Sequence, residues 1–361
     1  MLNRLLSHDL PRNRVLALVL LAILLALAFT PFVFPGTKAL NVAAKIIVFI
    51  VLAASFDLLL GYTGIVSFAH TMFFGIGAYG IAIASTRLGT GWAAVAVGTL
   101  AALALSTLLS VVIGLFSLRV RAIFFAMITL AVASAFLTLA SQLSDFTGGE
   151  DGLTFKIPEA LQPGTSYLDE PFLGASIDGR FVTYYALFCA ALALVLLLLR
   201  IVNSPFGRVL QAIRENDFRA EAIGYRTVVY RTIASVLSAL FATLAGVLLA
   251  LWLRYNGPDT TLSFEIMLDV LLIVVIGGMG TVYGAVIGSV LLVLAQNYLQ
   301  DLMKLGASAV EGVPLLSQLI SPDRWLLWLG ILFVLSVYHF PTGVVGRLRA
   351  MRARAAAAPR S

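Results

Sequence analysis

The sequence predicts an all-α fold: a polytopic transmembrane bundle of about ten spans, with broken or re-entrant helices and both termini cytoplasmic. Three observations predict it. Of the 361 residues, 60% are hydrophobic and only 12% are charged, where a soluble domain carries about 25% charged residues. Mean hydropathy is +1.00. Apolar stretches of about 20 residues, enough to cross a hydrocarbon core of about 30 Å, recur along the chain, and the basic residues fall in alternate loops.

The first stretch, 15–34, follows Arg4, Arg12 and Arg14, and Ala26-Leu27-Ala28 imitates a signal-peptide cleavage site. The apolar run continues to Phe34 and more spans follow, so an uncleaved first span is expected. The others are expected at 41–60, 65–85, 92–116, 121–141, 181–201, 231–253, 264–278, 281–300 and 324–340. The chain then divides into a cytoplasmic N-terminus at 1–14, a transmembrane domain at 15–340 and a basic cytoplasmic tail at 341–361. With the N-terminus inside, the inner segments hold Arg119 and Arg121, then Arg208, Arg214, Arg219 and Arg226 in the 202–230 loop. The tail adds Arg347, Arg349, Arg352, Arg354 and Arg360. The longest outer loop, 142–180, has two positives (Lys156, Arg180) against Asp145, Glu150, Asp151, Glu159, Asp169, Glu170 and Asp178. This bias obeys the positive-inside rule, and losing one span would break it. A net charge of +6 distributed this way does not suggest nucleic acid. The single cysteine, Cys189, excludes a disulfide framework and is expected as a small buried hydrophobe.

Two glycine-rich stretches interrupt the spans. The first is Gly61-Tyr-Thr-Gly-Ile-Val-Ser-Phe-Ala-His70, continuing to Gly75, Gly77 and Gly80. The second is Gly277-Gly-Met-Gly-Thr-Val-Tyr-Gly284, then Gly288. Glycine inside a helix costs about 1 kcal/mol relative to alanine, so clusters need a reason. Either helices approach closely there, or a broken helix frees backbone groups inside a protected site. Broken backbone is expected at Gly61–Gly64 and Gly277–Gly280; for Gly284 and Gly288 both readings stand. Gly75-Ile-Gly-Ala-Tyr-Gly80 matches a dinucleotide fingerprint only in letters, since it lies in an apolar span and not after a strand.

No phosphate-binding loop, H-E-x-x-H or G-x-S-x-G pattern occurs, and His8, His70 and His339 are too scattered to ligate a metal. Neither catalytic residues nor a cofactor are expected. Lys45 falls near the outer end of the second span, Asp57 near its inner end, and Glu265 and Asp269 one helical turn apart at the outer start of the eighth. All four are expected to reach an interface or a water-filled cavity. An ion-driven carrier usually sets carboxylates near the midplane, so uphill transport would need another energy source.

The segment 204–224 is the longest charged stretch with a helical pattern. Ser204-Pro205 is a strong helix start, and Phe206, Val209, Leu210 and Ile213 form one apolar face. Asp217 is expected to cap a second short helix that ends at Gly224. The alternatives are a docking element for another protein and an amphipathic helix lying on anionic lipid.

Three blocks carry a family resemblance: Leu59–Tyr79, Ser204–Gly224 with Glu221-Ala222-Ile-Gly224, and Val274–Gly288. Together they resemble the membrane permeases of high-affinity branched-chain amino-acid ABC importers, the LivM/LivH type. Thr147-Gly-Gly-Glu-Asp-Gly152 is similar to a loop of the M-type subunit. The resemblance covers most of 40–340. Asp57, where a neutral polar residue is expected, and the long 153–180 loop depart from the pattern. The resemblance implies a multi-pass permease in a bacterial inner membrane. Its partners would be two ATPase subunits, a homologous second permease and a periplasmic substrate-binding protein that meets 142–180 and 254–263. It also implies ATPase coupling through Arg214, Glu215, Glu221 and Gly224. A translocation path is implied near Gly61, Gly64, Ser67, His70, Gly277, Gly278 and Gly280, with hydrogen-bonded packing an alternative for His70. Leucine-like cargo is the default. The alternatives are urea, short amides or another small polar solute, an ion-coupled carrier or channel acting alone, and a non-transporting scaffold.

Overall fold

The structure, a computed structural model, describes residues 14–34, 36–117, 122–167, 176–309, 321–340 and 343–348. His8, Arg4, Arg12, Arg119, Arg121, Asp169, Glu170, Arg349, Arg352, Arg354 and Arg360 lie outside the described residues. The main helices are α1 (Arg14–Val33), α2 (Thr37–Thr63), α3 (His70–Leu88), α4 (Trp92–Ser117), α5 (Ala122–Gln142) and α6 (Gly179–Val202). They continue as α7 (Pro205–Glu215), α8 (Asp217–Ala222), α9 (Thr227–Leu253), α10 (Phe264–Gly277), α11 (Val282–Ala309) and α12 (Trp325–His339). The described sheet is one two-stranded antiparallel ribbon, β1 (Leu153–Thr154) with β2 (Tyr255–Asn256), pairing Leu153 with Asn256.

Nine helical stretches among the described residues are long and apolar enough to cross a membrane, against the ten expected. The missing one is 65–85. It is present as α3, whose histidine and three glycines dilute its hydropathy, and which starts at His70 because Gly64–Ala69 is not helical. Protein surrounds α3 almost completely, so it does not need a lipid-like surface.

Burial sorts the helices. The central helix is α2: 94% of its apolar window is buried, against 17% for α1 and 22% for α5. The outer helices expose large apolar side chains, such as Ile123 at 74% and Leu100 at 66%, as lipid-facing surfaces do. Cys189 corrects its expectation: it is exposed on α6. Small residues bring backbones together. A Cβ on Gly77 would collide with Thr243 O, one on Gly246 with Phe74 O, and one on Gly80 or Gly98 with the other's carbonyl. This locks α3 between α9 and α4. Gly284 and Gly288 lean on Gly278 O and Ile273 O, so close approach is their role.

The bundle has two distinct ends. At one, the α7–α8 hairpin meets the last turn of α2 and the α10–α11 turn. The start of α1 is there too, because Leu16 packs with Ile287 and Val345, and Gly343 sits on Gly278. At the opposite end, 142–167 packs on 254–257 through the β ribbon.

Candidate functional site

The hairpin is built from local signals. Ser204 Oγ accepts from Gly207 N and Pro205 occupies the first turn of α7. Leu210 and Ile213 are fully buried, and Phe206 stacks on Tyr230 of α9 with ring centroids 5.8 Å apart. The cap of α8 corrects the expectation. Asn216, not Asp217, is the N-cap, with Oδ1 accepting from Arg219 N at 2.9 Å. Asn216 has the extended backbone a cap needs, and Asp217 is already helical, its carboxylate 2.8 Å from Arg231. Gly224 has φ +97° and closes α8: its N–H meets Glu221 O and the next N–H meets Ala220 O. Glu221 also accepts from Thr227 Oγ1 at 2.6 Å, tying α8 to the start of α9. The outward face carries Phe218, 82% exposed, and Ile223, 68% exposed, beside exposed Glu215, Arg219 and Glu221.

Arg214, itself exposed, reaches the other way, across the end of the bundle. Its Nη1 donates to Gly61 O in the last turn of α2, and Asp57, one turn earlier, accepts at Oδ1 from Gly280 N at 2.8 Å. The two glycine-rich stretches, more than two hundred residues apart, therefore meet beneath α7. A Cβ on Gly61 would collide with Gly280 N and Asp57 Oδ1. The helix breaks fall at Gly64 (φ +73°) and at Gly278 (φ +118°) and Gly280 (φ +79°), conformations that L side chains resist. Gly61 and Gly277 are helical, and their function is close approach rather than broken backbone.

Ser67 and His70 are buried deeper in the bundle. His70 Nε2 lies 3.1 Å from Ser55 Oγ and 3.3 Å from Ser238 Oγ. Both hydroxyls spend their hydrogens on carbonyls, Ser55 on Leu52 O and Ser238 on Ser55 O, so His70 donates to them from Nε2. This is a packing network joining α2, α3 and α9.

At the opposite end a cavity of about 780 Å³ opens between α2, α9, α10 and α11. Lys45, Glu265 and Asp269 line it, with Lys38, Asp259, Asn41, Asn297, Phe49 and Trp252. Asp57 corrects the same expectation: it is buried at the opposite end, where Gly280 N supplies its hydrogen bond in place of water. None of the residues implied for a translocation path lines it. A smaller cavity of about 310 Å³ shares Thr37, Asn41, Trp252 and Leu253 with it and carries Arg180 and Arg254. Arg180 lies 5.5 Å over the Trp252 ring and donates to Asn41 Oδ1 at 3.0 Å. Burial, then the Arg180 charge, lowers the pKa of Arg254. Asn41, Trp252 and Gln296 were missed by sequence reasoning; polar Gln296-Asn297 inside an apolar span was the available signal.

The family profile described as branched-chain amino acid transport system / permease component matches residues 38–337. The chain belongs to that family. Among permeases of this family it is similar to the high-affinity branched-chain amino acid transport system permease protein LivM of Escherichia coli (strain K12). The two are 28% identical over 325 residues, covering 86% of this chain and 74% of that one. The LivM protein of Salmonella typhimurium is 26% identical over 324 residues, with the same coverage. The Autoinducer 2 import system permease protein LsrC of Salmonella paratyphi B is 31% identical over 174 residues, 46% of this chain and 48% of that one. No solved structure matches. Family membership makes the chain a multi-pass membrane transport component rather than an enzyme.

Proposed function

We propose that this chain is the permease subunit of an ATP-driven importer of branched-chain amino acids in a bacterial inner membrane. The observation that carries the reading is the double-sided hairpin. One face of α7–α8 offers exposed Phe218 and Ile223 among charges, a surface suited to a soluble partner. The other lays the Arg214 guanidinium against the junction of two helix breaks. Two ATPase subunits would dock on Glu215, Glu221 and the apolar pair, on the cytoplasmic side. Their movement would reach Gly61, Gly64, Gly277, Gly278 and Gly280 through Arg214, and these glycines, with buried Ser67 and His70 behind them, would form the inner gate of the path. A homologous second permease would complete the channel. A periplasmic binding protein would deliver cargo to the end where 142–167 and 254–263 lie together. The amino-acid cargo is supported by what the LivM relatives are named to transport.

The test is purification from the native host in mild detergent, mass spectrometry of the partners, and reconstitution of the complex in vesicles. The expected result is two ATPases and a second permease, with ATP-dependent uptake of leucine, isoleucine and valine. A chain that purifies alone and moves solute on an ion gradient would replace this reading with a secondary carrier. ATP-dependent uptake of urea, short amides or autoinducer 2 in place of amino acids would overturn the cargo alone.

A further inference from the structure

We propose that Lys45, Gln296 and Asp269 form a receptor for the charged ends of a free α-amino acid, at the cavity opposite the hairpin. The inference deepens the amino-acid reading above and rests on it for the cargo class. Lys45 stands on α2, Asp269 on α10 and Gln296 on α11, all within membrane-spanning helices, where ionisable side chains are costly and mark function by default. The two charges are not joined directly. Gln296 lies between them: its Oε1 accepts from Lys45 Nζ at 3.4 Å and its Nε2 donates to Asp269 Oδ1 at 2.7 Å. A pair retained for stability alone would close into direct contact. The amide spacer leaves most of the ammonium donors of Lys45 and further lone pairs of Asp269 uncommitted.

Those free valences border the 780 Å³ cavity, within the roughly 300–1,000 Å³ range of small-molecule sites. Lys38 is occupied by Asp301, which leaves Lys45 as the lining lysine available for an anion. The Phe49 ring centroid lies 5.2 Å from Nζ, a cation–π contact that holds the ammonium in place. A zwitterion satisfies both poles at once: its carboxylate accepts from Lys45 and its ammonium donates to Asp269. Val42, Phe49, Leu249, Trp252 and Ile266 then supply an apolar wall for the side chain. A neutral cargo, or one with a single charge, forgoes at least one of these two contacts, which is how polar sites reject analogues.

The experiment uses the complete permease–ATPase complex in nanodiscs, without the binding protein, and saturation-transfer NMR with three probes. The probes are leucine, 4-methylpentanoate (no ammonium) and 3-methylbutylamine (no carboxylate). The native complex is expected to show leucine and to prefer it over either analogue by about tenfold or more, the range of one charge-assisted hydrogen bond. Asp269→Asn should erase the preference over 4-methylpentanoate alone, and Lys45→Gln that over 3-methylbutylamine alone. Asp269→Asn is isosteric and Lys45→Gln shortens the side chain by one bond, and the analogue competition on the native complex tests the idea even if one fails to assemble. Leucine binding with native selectivity in both variants would overturn the site while leaving the importer intact. A native complex that imports no amino acid would instead overturn the cargo reading, and this site with it.

Discussion

The two ends of this bundle solve opposite problems with the same helices. At the hairpin end α2 finishes in a junction with no slack: Arg214, Gly61, Asp57 and Gly280 are joined by hydrogen bonds, and no Cβ fits on Gly61. At the other end the same helix borders an open cavity whose charges are held apart by an amide. A packed interior transmits displacement because it deforms poorly, whereas a site that must bind and release needs room and unspent hydrogen-bonding capacity. On the readings proposed above, the hairpin end would transmit force and the cavity would recognise cargo.

The sharpest way to break that contrast is Gly61→Leu. Overpacking costs about 1–3 kcal/mol, and here the obstruction is backbone that cannot step aside. Uptake by the reconstituted complex should fall roughly 100-fold, the upper end of that range. Near-native uptake would mean the junction is loose. On the hairpin's outer face, Phe218→Asp and Glu221→Arg should each cut ATPase capture during affinity purification by about tenfold, since buried hot-spot contacts carry 1 kcal/mol or more. The spans should remain folded, as judged by monodispersity in detergent. If capture is unchanged, this face is not the dock.

Asp57→Asn separates charge from shape. The amide oxygen can still accept from Gly280 N, but the negative charge near Arg214 is gone. A several-fold drop in ATP-driven uptake with ATPases still bound is expected. Loss of the bound ATPases would instead make Asp57 an assembly residue. The smallest effect should come from Arg231→Met, which removes the 2.8 Å pair with half-exposed Asp217. Such a pair is worth up to about 1 kcal/mol, so the thermal midpoint should shift by only a few degrees and uptake should hardly change. A large loss of uptake there would extend the transmission path into α9.

Much of this protein was legible in one dimension. Apolar runs of membrane-crossing length fix a helical bundle, because lipid leaves backbone groups no partner outside a helix or a closed barrel. Local chemistry also fixed the hairpin: Ser204-Pro205 starts α7 and Gly224 ends α8 through contacts within a few residues. The cap at Asn216 was missed because Asn and Asp serve equally well there, and only the ion pair to Arg231 shows that Asp217 is engaged elsewhere. What the sequence alone determined, then, is the set of helices, their breaks and the amphipathic hairpin, all products of short-range hydrogen bonding and hydropathy. The tertiary structure alone decided that Gly61 meets Gly280, that Arg214 reaches both, and that Gln296 stands between Lys45 and Asp269. Those pairings join positions scores to hundreds of residues apart, and their energy comes from close approach and shared burial, which no local pattern encodes.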